Sequence, residues 1–196
     1  MPILLYLVYM SRKYKFLDNE RLYFVSFAVI NLIDLFIRNE YRDVIVKSLK
    51  YCIAHKDLDL YGWCLMTSHM HMVIGSRGNP MQNIMRDFKR HTSEELHAVI
   101  KKHPGESRKE CLPAGQAGML QMMNEAGTQN SNNRGFQLWQ QNNNPIELAT
   151  GQMAHQKLDY THYNPVEAGF VEKPEDWIYS SARNYYGREG LIPIRL

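Results

Sequence analysis

The sequence predicts an α+β fold, a ferredoxin-like antiparallel sheet with helices packed on one face. Two observations favour this class. Stretches with the alternation of strands and stretches with the apolar spacing of helices follow one another in the order strand, helix, strand, strand, helix, strand. Of the 196 residues, 44% are hydrophobic and 11% are aromatic, which is enough for one domain with a buried core. We therefore expect a single domain, with the second face of its sheet free for ligands.

The first half of the chain supplies four predicted elements. The first strand lies over residues 22–30, where apolar side chains occupy both alternating faces, as in a central strand. Apolar residues at helical spacing then predict a helix over 39–55. A second strand over 58–66 and a third over 69–74 follow. Only two small polar residues separate these two strands, which indicates a tight connection.

The second half of the chain is less regular. Residues 103–135 are rich in Gly, Asn, Ser, Gln and Pro, and they predict a long flexible loop. A short strand over 136–141 would complete the sheet. Helical segments are predicted before this loop, over 81–102, and after it, over 152–163 and 177–186. We expect Asn164 and Pro165 to end the helix predicted over 152–163.

Cysteine usage and the N-terminus bear on the compartment. Cys52, Cys64 and Cys111 are odd in number and have no paired spacing, which argues against a disulfide scaffold or a zinc ribbon and for reducing conditions. The apolar first ten residues follow no basic residue, so they do not form a signal-peptide pattern. We interpret Met10 as an alternative start and 1–9 as an extension. No apolar run is long enough to cross a bilayer, and the expected location is the cytoplasm.

His69 and His71 flank Met70 on the third predicted strand. Side chains two residues apart on a strand point to the same face, so we expect both imidazoles on one face of the sheet. Two neutral imidazoles on one face can bind a divalent metal ion. The alternative is a pair of partly buried histidines that hydrogen-bond to their neighbours. The spacing alone is compatible with both interpretations.

Tyr160 and Asn164 are four residues apart on a predicted helix, and Lys157 lies beside them on the same face. A tyrosine hydroxyl next to an amide oxygen suits a nucleophile beside a metal ligand. Lys157 could favour the phenolate form of Tyr160, or it could be an ordinary solvated lysine. The alternative for the whole group is a surface tyrosine followed by an Asn-Pro helix stop.

Three blocks of sequence, in this order, resemble the REP-associated tyrosine transposases. These proteins are single-tyrosine HUH (His-hydrophobic-His) transposases, related to the insertion-sequence-200 group. The stretch WCLMTSHMHMVI (63–74) resembles their HUH strand, and YTHYNPVEAGFV (160–171) is similar to their tyrosine helix. The stretch 174–183, which begins PEDW and ends YSSAR, resembles their C-terminal block. The resemblance covers roughly 11–187, and several ordered motifs of this kind rarely coincide by chance.

The chain departs from the family in modest ways. Ser68 stands where the family usually has Asn, and Thr161 follows the tyrosine where Ile is common. Neither residue type takes part directly in the implied chemistry. The stretch 111–123 matches less well and reads as an insertion within the long loop. The resemblance therefore implies one HUH domain over 1–196, with its core at about 11–187 and a helical segment at its C-terminal end.

The resemblance also implies an activity, which is strand cleavage and rejoining on single-stranded DNA hairpins. Tyr160 would attack the scissile phosphate and form a 5′-phosphotyrosine bond. His69, His71 and Asn164 would hold a divalent ion, Mg²⁺ or Mn²⁺, since these ligands accept either. The working form would be a monomer or a homodimer, located with the nucleoid. Two other classes stay open, a non-catalytic single-stranded nucleic-acid-binding module and a metal-dependent nuclease without a covalent intermediate.

DNA contacts would come from basic side chains on phosphates and from aromatic side chains on unpaired bases. The formal net charge is only +3, so a basic balance permits nucleic-acid binding without arguing for it. For each basic cluster a solvated helix face is the alternative, and for an isolated tryptophan it is a place in the core. The candidate DNA-binding residues are Arg12, Lys13, Arg86, Lys89, Arg90, Lys157, Arg183 and Trp139.

Overall fold

A four-stranded antiparallel sheet lies at the centre of the computed structural model, which describes residues 16, 18–103, 118–130, 135–141 and 144–196. The strands lie in the order β2-β3-β1-β4, so β1 and β3 are each paired on both sides. This arrangement confirms the predicted α+β antiparallel sheet. The strand bounds are β1 (Tyr23–Ala28), β2 (Leu58–Leu65), β3 (His69–Ser76) and β4 (Ile146–Glu147).

Two long helices, α1 (Asn39–His55) and α2 (Met81–Lys102), belong to the larger core on one face of the sheet. Their bounds agree with the predicted helices. The central strands β1 and β3 turn every second side chain towards this core, and β1 contributes Tyr23, Val25 and Phe27. Of the helices in the described part of the chain, none is both long and apolar enough to span a membrane.

A further helix, α4 (Gly151–Glu167), packs on the opposite face of the sheet, which we had expected to be free. It does so because α4 has apolar side chains at helical spacing, Ala154 and Leu158 among them, that pack over Phe24 and Val73. The expectation of a fully open second face is therefore wrong. The helix that carries Tyr160 covers part of it and lies directly above the histidine strand.

The predicted end of this helix at residue 163 is also wrong, because α4 continues through Pro165 to Glu167. A proline inside a helix removes one backbone N–H and crowds the preceding turn. Here it stands in the last turn, where it is buried, and the backbone N–H of Ala168 still donates to the carbonyl of Asn164 at 3.0 Å. Asn164 is consequently a helical residue, one turn after Tyr160.

The predicted loop over 103–135 contains a helix, α3 (Met119–Thr128). Its apolar residues Met119, Leu120 and Met123 pack against the larger core. The prediction of a continuous loop is therefore wrong for this part, where methionines at helical spacing carried a signal that the polar composition obscured. Cys111 and most of the inferred insertion lie outside the described residues.

The last sheet strand is displaced from its predicted position at 136–141. In that stretch Trp139 forms one isolated bridge with Val29, whereas the strand pairing to β1 is made by Ile146–Glu147. Backbone bonds from Ile30 N to Leu138 O and from Leu148 N to Leu22 O, each of 2.8 Å, flank this edge of β1. A two-residue strand is too short to show the alternation on which the prediction depended.

The C-terminal block covers the outer edge of β2. The prediction of one helical segment over 177–186 is wrong. The block consists of a 3-10 turn at Pro174–Asp176 and the single helical turn α5 (Ala182–Tyr185). Between them, Leu65 N donates to Tyr179 O and Ser181 N to Trp63 O, both at 2.9 Å. Backbone that pairs with a strand edge in this way cannot also be helical.

Gly127 allows the end of α3 to approach the following segment, so Gly127→Ala is expected to destabilise the fold. An added Cβ would overlap the backbone of Gly135 and Phe136, which cannot rotate away. We expect a loss of about 1–3 kcal/mol in the free energy of unfolding, measured by urea titration. Gly151→Ala is the matched control, since nothing lies within 4 Å of its added Cβ. Equal stability of the two variants would show that the backbone at Phe136 can give way.

Candidate active site

The two histidines of β3 share the face of the sheet that α4 covers. Their ring centroids are 4.9 Å apart. Because β3 is paired on both sides, with Ser26 of β1 and Cys64 of β2 opposite His71, the backbone that carries the pair is fixed. The structure thus places both imidazoles on one face, in agreement with the strand spacing.

His71 is a buried polar group without a partner. It is only 5% exposed, and neither of its ring nitrogens has a hydrogen-bond partner among the described residues. Its ring stacks on Phe24 with centroids 5.5 Å apart and meets the Tyr160 ring at 5.1 Å. Burial, with smaller contributions from His69 and Lys157, lowers the pKa of His71 to about 3, so the imidazole is neutral at physiological pH. Among the described residues, none supplies the hydrogen bond that the interpretation as a core histidine requires here.

His69 connects β3 to α4. Its Nε2 lies 3.3 Å from Asn164 Oδ1, and its Nδ1 lies 3.2 Å from Ser68 Oγ. Burial lowers the pKa of His69, and the hydrogen bond with Asn164 partly opposes that shift. An oxygen acceptor at Nε2 requires the proton there, which leaves Nδ1 to accept from the Ser68 hydroxyl. A metal ligand at Nε2 would require the other tautomer, whose Nδ1–H Ser68 can accept equally well.

Tyr160 lies on the side of α4 that faces His71 and Phe24. Its ring meets Phe24 edge-on at 5.8 Å. Burial raises the pKa of Tyr160, the Glu167 carboxylate adds to the increase, and a hydrogen bond with Asn164 opposes it. Lys157 lies over the Tyr160 ring, with Nζ 5.3 Å from its centroid. The suggestion that Lys157 shifts Tyr160 towards phenolate is therefore not supported, because the net effect of the surroundings favours the neutral phenol.

The side chains present suit a divalent cation. Two neutral imidazoles, one with both nitrogens unpartnered, lie next to an amide oxygen, and first-row divalent ions accept this donor set. Within the described ranges, no three His, Cys, Asp or Glu side chains are grouped so that they could hold a metal ion. A third protein ligand would have to be of another type, and Asn164 is the neighbouring side chain with a suitable oxygen.

Helix α4 is also fixed to β2, through residues other than Tyr160 and Asn164. Gly62 of β2, at a register shift in the sheet, gives Leu158 room that a Cβ would occupy. His162 Nε2 lies 2.8 Å from Ser181 Oγ, which also accepts the backbone N–H of Trp63 at 2.8 Å. One hydroxyl thereby connects the tyrosine helix, the C-terminal block and the edge of the sheet.

Ser181→Ala is expected to lower the free energy of unfolding by about 1–3 kcal/mol, because it leaves the buried Trp63 N–H and His162 Nε2 without partners. Urea titration measures the loss. Ser48→Ala is the control, since the buried Ser48 hydroxyl donates only to the Val44 carbonyl of its own helix. If Ser181→Ala cost no more than Ser48→Ala, the hydroxyl would not hold α4 in place.

Trp139 was wrongly predicted as a platform for unpaired bases. It is 5% exposed and packs against Phe27 and Phe36 in the larger core, with ring centroids 5.9 Å away in each case. Its Nε1–H donates to Thr92 Oγ1 at 3.0 Å. A buried indole whose polar atom is already satisfied cannot stack on a base without unfolding.

Most of the predicted basic residues are not brought together with Tyr160. Helix α2 carries three of them, on the opposite side of the sheet. Arg86 and Arg90 pair with Asp87 at 3.3 and 3.5 Å. The Nζ atom of Lys89 lies 5.1 Å from the centroid of the Phe27 ring, and burial lowers the pKa of Lys89 to about 8. Arg183 Nε donates to the carbonyl of Glu189, whereas Arg12 and Lys13 lie outside the described residues.

Sequence reasoning missed two residues that contact the site, Phe24 and Ser68, and one exposed residue, Glu167, that acts on Tyr160 only through its charge. Phe24 could have been found only with the register of β1 against β3, which no local pattern reveals. Ser68 precedes the first histidine directly, and a polar side chain next to a candidate ligand is a signal for a residue that orients it. Glu167 lies seven residues after Tyr160, and the spacing places it on the same side of the helix once α4 is known to pass Pro165.

Comparison with known proteins supplies a structural neighbour. No protein-family model and no curated protein matches the sequence. Among solved structures, the chain is similar to one described as the REP-associated tyrosine transposase bound to a REP hairpin, with a TM-score of 0.56 and 15% identity. The two chains share a fold. The similarity covers 96% of this chain and 92% of the other, so the shared fold extends over the sheet and the helices on both faces.

Proposed function

We propose that this protein cleaves and rejoins single-stranded DNA at hairpin-forming sites, through a covalent bond between Tyr160 and a 5′-phosphate. The observation that carries the proposal is the position of Tyr160 against His71, whose ring nitrogens are buried and unpartnered, beside the His69–Asn164 pair. Support for the substrate class comes from the motif resemblance and from the shared fold with a transposase bound to a hairpin. Such a substrate would place the protein with the chromosome.

The reaction is a phosphoryl transfer to tyrosine. The Tyr160 oxygen attacks phosphorus, the bond from phosphorus to the 3′-oxygen breaks, and the products are a 5′-phosphotyrosine and a free 3′-hydroxyl. The phenol loses one proton and the departing 3′-oxygen gains one. Because one phosphoester replaces another, a 3′-hydroxyl can later attack the phosphotyrosine and rejoin the strand without ATP. The nucleophile Tyr160 and the proposed ligands His69, His71 and Asn164 all come from one chain, so the proposed chemistry does not require a second copy.

His69, His71 and Asn164 would hold the metal ion. A bound Mg²⁺ or Mn²⁺ would supply positive charge against the negative charge that develops on the phosphate oxygens. Both imidazoles have lowered pKa values, so protons do not compete for their nitrogens at physiological pH. The Asn164 side chain also lowers the pKa of Tyr160, and it lies one turn after it on α4, so the nucleophile and the proposed ligand are neighbours on one helical face.

A denaturing gel distinguishes the proposal from its two alternatives. Hairpin oligonucleotides copied from DNA that flanks the gene are incubated with the protein and Mn²⁺, each labelled at either its 5′ or its 3′ end. We expect the 3′ label to migrate with the protein and the 5′ label to appear in a shortened free strand. Shortened strands with both labels free of protein would indicate a nuclease. Binding without cleavage on any hairpin would indicate a non-catalytic module.

A further inference from the structure

Lys157 is a cation at the candidate site, and no described carboxylate pairs with it. It lies one helical turn before Tyr160, with Nζ 4.8 Å from the Phe24 centroid and 5.3 Å from the Tyr160 centroid. In the described part of the chain no ion pair includes it, whereas Lys56, Arg86 and Arg90 all share Asp87. The ammonium group therefore lies over the Phe24 and Tyr160 rings, in the space next to the proposed nucleophile.

The proposed reaction requires positive charge in this space. Attack on a phosphodiester concentrates negative charge on the non-bridging oxygens, and a cation close to the reacting phosphate stabilises that charge. The proposed metal ion would meet part of this need, and its ligands His69, His71 and Asn164 add no positive charge of their own. Among the described side chains that contact Tyr160, Lys157 alone carries a positive charge.

We propose that Lys157 binds a non-bridging oxygen of the scissile phosphate, and that its place over the two rings is its position before DNA enters. A lysine stem is long and rotatable, so the ammonium can move from the ring faces to a phosphate oxygen without displacing α4. This role rests on the proposed function and adds to it the residue that neutralises the reacting phosphate. A purely structural role, in which the cation–π contacts attach α4 to the sheet, is the alternative.

A binding cycle tests the contact. The scissile phosphate is first located from the tyrosine adduct of the wild-type protein, and hairpins are then made with either the natural phosphate or an uncharged methylphosphonate at that position. Binding is measured by fluorescence anisotropy in EDTA with Tyr160→Phe protein, so that neither metal nor cleavage contributes. We expect the methylphosphonate to weaken binding about tenfold when Lys157 is present and less than about twofold in Tyr160→Phe/Lys157→Met.

Further arms separate the possible failures. Tyr160→Phe/Lys157→Arg keeps the charge, so the methylphosphonate at the scissile position should again weaken binding by most of the tenfold. A methylphosphonate five nucleotides away should change binding equally in Tyr160→Phe and in its Lys157→Met and Lys157→Arg derivatives. An equal loss with and without Lys157 at the scissile position would overturn the contact and leave the proposed cleavage intact. A wild-type protein that forms no adduct on any hairpin would overturn both the proposed function and this role of Lys157.

Discussion

Tyr160→Phe is expected to abolish the covalent protein–DNA adduct while hairpin binding stays within about twofold of that of the wild-type protein. The substitution removes only the oxygen that would attack phosphorus. The ring keeps its edge-on contacts with Phe24 and His71, so the packing of α4 on the sheet should not change. The adduct is measured on denaturing gels with 3′-labelled hairpin, and binding by anisotropy.

Tyr163→Phe is the matched control for this variant. Tyr163 lies on the same helix but is 45% exposed, and it contacts neither histidine of the site in the described structure. It should form the adduct at the wild-type rate. If Tyr163→Phe were the inactive variant and Tyr160→Phe the active one, the nucleophile would be misassigned. An adduct that still forms with the Tyr160→Phe protein would by itself also contradict the assignment of Tyr160 as the nucleophile.

The parts of the fold that local periodicity determines could be predicted from the sequence. The bounds of α1 and α2 agree with prediction because each helix has an apolar stripe that is legible within its own residues, such as Tyr41, Ile45 and Leu49 on α1. The shared face of His69 and His71 is also a local property, since it follows from the two-residue period of a strand.

The parts that depend on contacts distant in sequence could not be predicted. His69 and Asn164 are 95 residues apart, and their meeting depends on the packing of α4 on the second sheet face through Gly62 and Leu158. The burial of Trp139 is likewise decided by a partner, Thr92, on another element. A sequence shows that an indole is present, but not whether its N–H is satisfied inside the protein or is available to a ligand.

The position of the site on α4 shows how a local error affects a functional interpretation. With the helix ending at residue 163, Asn164 would be a cap residue of variable orientation. With the helix running to Glu167, Asn164 stands one turn from Tyr160 and its oxygen reaches His69. Pro165 is buried in this last turn, and the Ala168 N–H still donates to the Asn164 carbonyl, so the helix continues despite the missing backbone N–H.

His71→Ala is expected to reduce hairpin cleavage at least about 100-fold and to weaken Mn²⁺ binding, because it removes one of three proposed protein ligands. EDTA should reduce cleavage by the wild-type protein to a similar degree. Since His71 makes no hydrogen bond to any residue that the structure describes, the loss of a hydrogen bond is not the expected cause. Urea titration in EDTA checks this point, and Mn²⁺ binding measured by calorimetry gives a readout that is independent of cleavage.

His155→Ala is the control for the metal experiment, because His155 is exposed on the same helix as Tyr160 and should affect neither Mn²⁺ binding nor cleavage. The alternative cause of an inactive His71→Ala protein is the lost stacking of the imidazole on Phe24. This loss would shift the Tyr160 ring, which packs on Phe24. His71→Phe separates the two, since it preserves an aromatic ring on Phe24 but offers no ligand. Full cleavage by His71→Phe, or by the wild-type protein in excess EDTA, would show that the histidine pair serves packing and not a metal ion.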